Sequence, residues 1–227
     1  MAIAAAVLAG GRSSRMGRDK ALIQLEPSGP TLLELVLDHV ALVADQRFIV
    51  ATDRPRYGGF GVPVEPDHFP DAAALGGIAT ALEVVDGARC LVVPCDLPFL
   101  NGPLLTHLAK RAESADIVVP TVRGESRQRG GVIYQTLHAI YGPACLPFIG
   151  DQLKREERQI VRFFDQVTVL PIDEATVRGY DPELWSFFNV NTPEALATAR
   201  VHQRALANAL GASSASPDIL GGMENAE

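Results

Sequence analysis

The residues able to do chemistry gather at the ends of two apolar runs. Ile3 to Ala9 is unbroken apolar sequence, and it runs straight into Gly10-Gly11-Arg12-Ser13-Ser14-Arg15-Met16-Gly17-Arg18-Asp19-Lys20. Glycines directly after a strand let the backbone approach a ligand closely and present N–H groups to an anion. Arg12, Arg15, Arg18 and Lys20 place four cations in nine residues of an otherwise acidic chain. Guanidinium forks and an ammonium group are the side chains that hold phosphate oxygens, so a polyphosphate is the natural partner. A lone Gly-Gly would more often be a solvated basic turn; the arginines and the strand context together favour the phosphate reading. The segment fits neither GxxxxGK[ST], because Met16 stands where a glycine is needed and Ala21 follows Lys20, nor GxGxxG, because Arg12 follows Gly11.

The second run, Leu91-Val92-Val93-Pro94, ends in Cys95-Asp96-Leu97-Pro98. A carboxylate at the tip of a buried strand is well placed to hold Mg²⁺, a hard cation that takes one or two carboxylates together with substrate phosphates. A turn aspartate bonding its own backbone before proline is an equal alternative on spacing alone.

Alternating strands and helices must position these groups. Gln46 to Thr52, Gly61 to Val64, Asp116 to Pro120, Gly131 to Tyr134 and Val167 to Leu170 read as further strands. Helical spacing covers Leu75 to Val85, Asn101 to Glu113 and, with breaks near Gly142-Pro143 and Pro147, Gln135 to Arg158. Thr31 with Glu34 three residues on has the spacing of a capping box. Pro193 sits at the start of a last helix running to about Leu210, where its missing N–H costs nothing. Strand–helix alternation predicts an α/β fold with a mostly parallel sheet, helices on both faces, and ligands beyond the carboxyl ends of the strands. Residues 1–210 read as one domain. Residues 211–227 are small and polar and read as a tail.

Composition narrows the function classes. The 227 residues carry 20 Lys and Arg against 27 Asp and Glu, a formal charge of −7, so no basic excess serves generic nucleic-acid binding. A mean hydropathy of +0.12 with 47% hydrophobic residues excludes a mainly disordered chain. Three cysteines, Cys90, Cys95 and Cys145, form no metal-ligand spacing and suit a reduced, cytoplasmic compartment. The start lacks the positive segment of a signal peptide, and no apolar run is long enough to span a membrane.

Taken together, Leu8 to Lys20, Cys95-Asp96-Leu97-Pro98-Phe99-Leu100 and Phe188-Asn189-Val190-Asn191-Thr192-Pro193-Glu194 closely resemble the molybdenum cofactor guanylyltransferase family of small nucleotidyltransferases. The likeness spans roughly residues 1 to 200. It implies a three-layer α/β/α Rossmann-like fold and transfer of GMP from GTP to the terminal phosphate of molybdenum-bearing molybdopterin, with pyrophosphate leaving. Carried over by position, Leu8, Ala9 and Gly10 would contact guanosine with Gly11 beside them in the GTP site, Asp53 and Asp67 would contact the nucleotide, Lys20 would bind phosphates, and Asp96 would be the Mg²⁺ ligand. Asn189 and Asn191 match positions linked to the pterin or the metal site. The family commonly shows Gly-Pro-Leu where this chain has Ala73-Ala74-Leu75, and Asp53 stands where a neutral amide can occur. Contact with other cofactor-synthesis proteins is implied, with no docking surface evident in the sequence. The runner-up readings are a relative using CTP or another phosphorylated acceptor, and a nucleotide-binding partner protein without catalysis.

The acceptor phosphate is already ionised near neutral pH, its second pKa being about 6, so no general base is expected and the five histidines read as surface or packing residues. The demand is positioning and charge stabilisation. Arg15 and Lys20 would hold the β and γ phosphates. Arg123, Arg127 and Arg129 form a second basic group, a receiver for the pterin phosphate or a solvated hairpin. Trp185 and Phe187 suit either a pterin-flanking role or the core.

Overall fold

The computed structural model describes residues 3–9, 19–124 and 131–213. β1 (Ala4–Leu8) forms from the first apolar run. Its alternate residues enter different cores: Ala5 and Val7 join one, Ala4 and Ala6 the other. That is the period-2 signature of a strand covered on both faces, and it explains why the run shows no polar alternation. Each fully buried Val or Leu of such a strand contributes roughly 1.5–3 kcal/mol.

β2 (Arg47–Ala51), β3 (Val64–Pro66) and β4 (Cys90–Pro94) pair parallel around β1 in the order β3-β2-β1-β4. β7 (Ala139–Tyr141) lies antiparallel between β4 and β5 (Ile117–Arg123). β8 (Val169–Ile172) runs parallel to β5, and β6 (Val132–Tyr134) pairs antiparallel with its far end, completing eight strands among the described residues. The mostly parallel sheet and flanking helices agree with the α/β/α expectation.

One face is covered by α1 (Leu32–Val40), α4 (Gly102–Lys110) and α6 (Glu174–Tyr180), through Leu33, Val36, Leu104, Leu105 and Val177. The other is covered by α3 (Ala73–Val84) and α5 (Leu146–Lys154), through Leu75, Ile78, Leu82 and Ile149. A third, smaller core lies under α7 (Pro193–Ser213), where Leu196 and Ala199 meet Ile23, Leu32, Phe99 and Val190.

Local sequence sets the helix starts. Thr31 Oγ1 accepts from Glu34 N at 3.2 Å while Glu34 Oε2 accepts from Thr31 N at 2.7 Å, the anticipated capping box. Asn101 Oδ1 accepts from Leu104 N at 2.8 Å and starts α4, which ends at Lys110; a separate 3₁₀ turn, Ala112–Ser114, carries the remainder of the predicted helix.

The stretch Gln135 to Arg158 is not mostly helical. It opens with a turn in which His138 N bonds Gln135 O, then gives β7, and α5 starts only at Leu146. Ala139, Ile140 and Tyr141 are buried on both faces, and three apolar residues carry no period that separates strand from helix. Pro147 lies in the first turn of α5, where it starts the helix and does not break it.

Candidate functional site

Parallel pairing brings the carboxyl ends of β1 to β4 to one edge of the sheet, the place where open α/β sheets bind ligands. Backbone bonds continue the ladder past the strand ends: Ala9 N to Val50 O at 2.9 Å, Cys95 N to Leu8 O at 3.1 Å, and Asp67 N to Ala51 O at 3.3 Å. The segments after β1, β3 and β4 are therefore held in fixed register.

A cleft of about 270 Å³ opens there, lined by Leu8, Ala9, Thr52, Asp67, Ala73 and Gly77 among others. Of the residues expected to contact the nucleotide, Leu8, Ala9 and Asp67 line it. Asp53 does not line it: its carboxylate turns to Arg56 at 3.1 Å and is half exposed, and the neighbouring Thr52 faces the cleft.

Two glycines let α3 close this cleft. A Cβ at Gly76 would meet the Phe69 carbonyl oxygen at 2.4 Å, and a Cβ at Gly77 would meet Leu8 Cδ1 at 2.9 Å. Ala73, in the place where the resembling family commonly has glycine, adopts a left-handed φ of +52°. Asp67 Oδ1 accepts from Phe69 N at 2.9 Å and from the hydroxyl of Thr80, which is fully buried on α3.

Beside the cleft, three residues distant in sequence converge. Lys20 opens a 3₁₀ turn, Lys20–Leu22; its Nζ lies 3.7 Å from Asp96 Oδ2 and donates to Asn191 Oδ1. Val190 N bonds Asp96 O at 3.0 Å, which pins the segment before α7 next to the end of β4. Asp96 is partly buried, and its buried Oδ1 has no partner among the described residues. Burial raises its pKa more than the Lys20 ammonium lowers it. Burial likewise pushes the Cys95 thiol up to about 12, so this cysteine is an inert packing group.

Other anticipated residues fall elsewhere. Asn189 is exposed: its Nδ2 bonds Phe187 O at 3.3 Å, and it meets the Lys20 group only through its carbonyl, which accepts from Asn191 N at 3.1 Å. Trp185 stacks on His202 at 3.6 Å and packs edge-on to Phe99, and Phe187 packs against His138. Arg123 donates its N–H to Glu174 at 2.6 Å. Gly10, Gly11, Arg12, Arg15, Arg18, Arg127 and Arg129 lie outside the described residues.

One set of contacts was not anticipated. Asp19, named only as part of the loop, has both carboxylate oxygens engaged: Oδ1 accepts from Ala21 N at 3.1 Å, and Oδ2 accepts from Tyr57 Oη at 2.7 Å and Arg56 Nη1 at 3.2 Å. Nothing in the sequence between Asp19 and Tyr57 signals that pairing.

Residues 5–177 match the MobA-like NTP transferase domain. The chain belongs to this family. This MobA-like protein is 33% identical over 199 residues to a probable molybdenum cofactor guanylyltransferase of Pelotomaculum thermopropionicum, covering 86% of this chain and 90% of that one. It is 32% identical over 200 residues to the molybdenum cofactor guanylyltransferase of Desulfosudis oleivorans, covering 87% and 94%. Its fold matches the crystal structure of molybdopterin-guanine dinucleotide biosynthesis protein A from Archaeoglobus fulgidus with a TM-score of 0.74 at 26% identity, over 89% of this chain and all of that one. The MobA-like chain is an enzyme of the nucleotidyltransferase class, and its Lys20–Asp96–Asn191 group lies by the carboxyl end of β4. No helix among the described residues is long and apolar enough to cross a membrane.

Proposed function

We propose that this nucleotidyltransferase transfers GMP from GTP to the terminal phosphate of molybdenum-bearing molybdopterin and releases pyrophosphate. The observation that carries the reading is the convergence of Lys20, Asp96 and Asn191 next to the Leu8–Asp67 cleft. The names of the relatives support the guanosine and molybdopterin specificity.

In this reading the cleft takes the nucleoside, and the triphosphate extends over Lys20. The ammonium, now shared between Asp96 and Asn191, turns to the β and γ phosphates and stays with pyrophosphate as it leaves. Asn191 keeps the free lysine oriented between turnovers. The acceptor phosphate attacks in its ionised form, so Asp96 is not needed as a base. Asn189 and the segment holding Arg127 and Arg129 are assigned to the acceptor side.

The donor set fits a divalent cation such as Mg²⁺. Asp96 offers a hard carboxylate oxygen, and its buried Oδ1 lacks a partner among the described residues. No group of three or more His, Cys, Asp or Glu suited to a metal occurs among those residues, so phosphate oxygens would complete the shell. When bound, the ion would supply charge neutralisation to the phosphates.

Pyrophosphate release with molybdopterin and each NTP in turn tests the reading. Release is expected with molybdopterin and GTP and with no other NTP, and Lys20→Ala should lower the rate about 10²–10³-fold. A preference for CTP would replace the reading with that of a cytidylyl-transferring relative. Absence of release with every NTP would mark a nucleotide-binding protein without catalysis.

A further inference from the structure

We propose that Tyr57 is a positioning residue for Lys20, acting through Asp19; this rests on the assignment of Lys20 to the triphosphate. Tyr57 closes the short helix α2 (Arg54–Tyr57) and is 3% exposed, its ring packed in the same core as Ala9, Ala21 and Cys95. The phenol is thus fixed to the body of the sheet. Its hydroxyl donates to Asp19 Oδ2 at 2.7 Å, and the other Asp19 oxygen accepts from Ala21 N at 3.1 Å, capping the 3₁₀ turn that begins with Lys20. The path from core to ammonium is continuous: ring, hydroxyl, carboxylate, turn, Lys20.

The arrangement does a second thing. Asp19 is an anion beside a lysine that must bind anions, and its side chain is only 16% exposed. Arg56 Nη1 meets the same oxygen as Tyr57, at 3.2 Å, and Arg56 Nε holds Asp53 at 3.1 Å. With both Asp19 oxygens bonded, the carboxylate is kept from competing with phosphate for Lys20. A hydrogen bond to a charged acceptor contributes more than a neutral one, so loss of the phenol oxygen alone should be felt.

The test is a double-mutant cycle on the full chain, with GTP affinity measured by calorimetry for wild type, Tyr57→Phe, Lys20→Ala and the double variant. Tyr57→Phe keeps the ring and should weaken GTP binding about tenfold. In the Lys20→Ala background the same change should alter GTP affinity by no more than about twofold, because the path no longer ends on an ammonium. Arg56→Gln, at a half-exposed site, should weaken GTP in the same direction and is read in place of Tyr57→Phe should that variant not fold. Wild-type affinity in Tyr57→Phe, or an equal loss in both backgrounds, overturns the inference and leaves Lys20 where it was assigned. Unchanged GTP affinity in Lys20→Ala would instead overturn the assignment beneath it.

Discussion

Asp96 Oδ2 and Lys20 Nζ stand 3.7 Å apart, yet burial still outweighs that ammonium and leaves the Asp96 carboxyl above its usual range. A carboxyl raised in the fold contributes stability that is full below its unfolded value, 3.8, and is lost as pH rises through the folded value. The ionised form of Asp96, without added divalent cation, therefore works against folding.

Asp96→Asn should accordingly match or exceed the wild-type melting temperature at pH 7 while turnover is lost. The stability difference should shrink toward zero as pH falls below about 3.8. Thermal melts across pH, paired with pyrophosphate release, check both halves. A variant clearly less stable than wild type at pH 7 would show that the Lys20 pair dominates.

Gly76→Ala and Gly77→Ala should differ although they are neighbours. The added methyl at 76 meets a backbone carbonyl at 2.4 Å, while at 77 it meets the tip of the Leu8 side chain, which can move. Urea unfolding should show Gly76→Ala losing about 2–3 kcal/mol and Gly77→Ala about 1 kcal/mol or less.

Ala73→Gly should stabilise the chain. Its φ of +52° costs an L-residue about 1–2 kcal/mol, part of which is returned by the greater freedom of glycine in the unfolded state. A gain of about 0.5–1 kcal/mol in urea unfolding is expected. Because Ala73 also lines the cleft, the same variant reports whether its methyl touches the nucleoside.

His138 is 1% exposed, and its ring nitrogens have no hydrogen-bond partner of good geometry among the described residues. Burial lowers its pKa to about 4, with the Ser186 backbone and Asp181 opposing. The unfolded chain binds this proton first, so the stability from a neutral His138 is present above pH 6.5 and lost as pH falls toward 4. His138→Gln should flatten that limb, removing a pH-dependent loss on the order of 3 kcal/mol. Denaturant midpoints at pH 7 and pH 4.5 measure it.

Much of the scaffold was legible because local patterns dictated it. The Ile3–Ala9 run had to be a doubly covered strand, Thr31 and Glu34 had to start a helix, and Pro193 had to stand at a helix N-terminus. β7 was not legible, since its three residues owe their conformation to antiparallel neighbours on both sides. Helix α6 escaped notice because only Val177 of its seven residues is buried, too few for a periodic signal.

Within the site, Lys20 and Asp96 were readable from residue type and position at strand ends. The Tyr57–Asp19 contact was not, because it joins residues 38 apart through a hydroxyl that packing alone aims. Asp53 shows the reverse case: its place in the motif was clear, but an i+3 arginine decides where its carboxylate points.

The most direct test of the central claim is a crystal structure of the chain with GTP. The account predicts the base in the Leu8–Asp67 cleft, with Lys20 Nζ released from Asn191 and in hydrogen-bond reach of the β or γ phosphate, on the same side as Asp96. A triphosphate bound away from Lys20, with the Lys20–Asn191 bond intact, would contradict it.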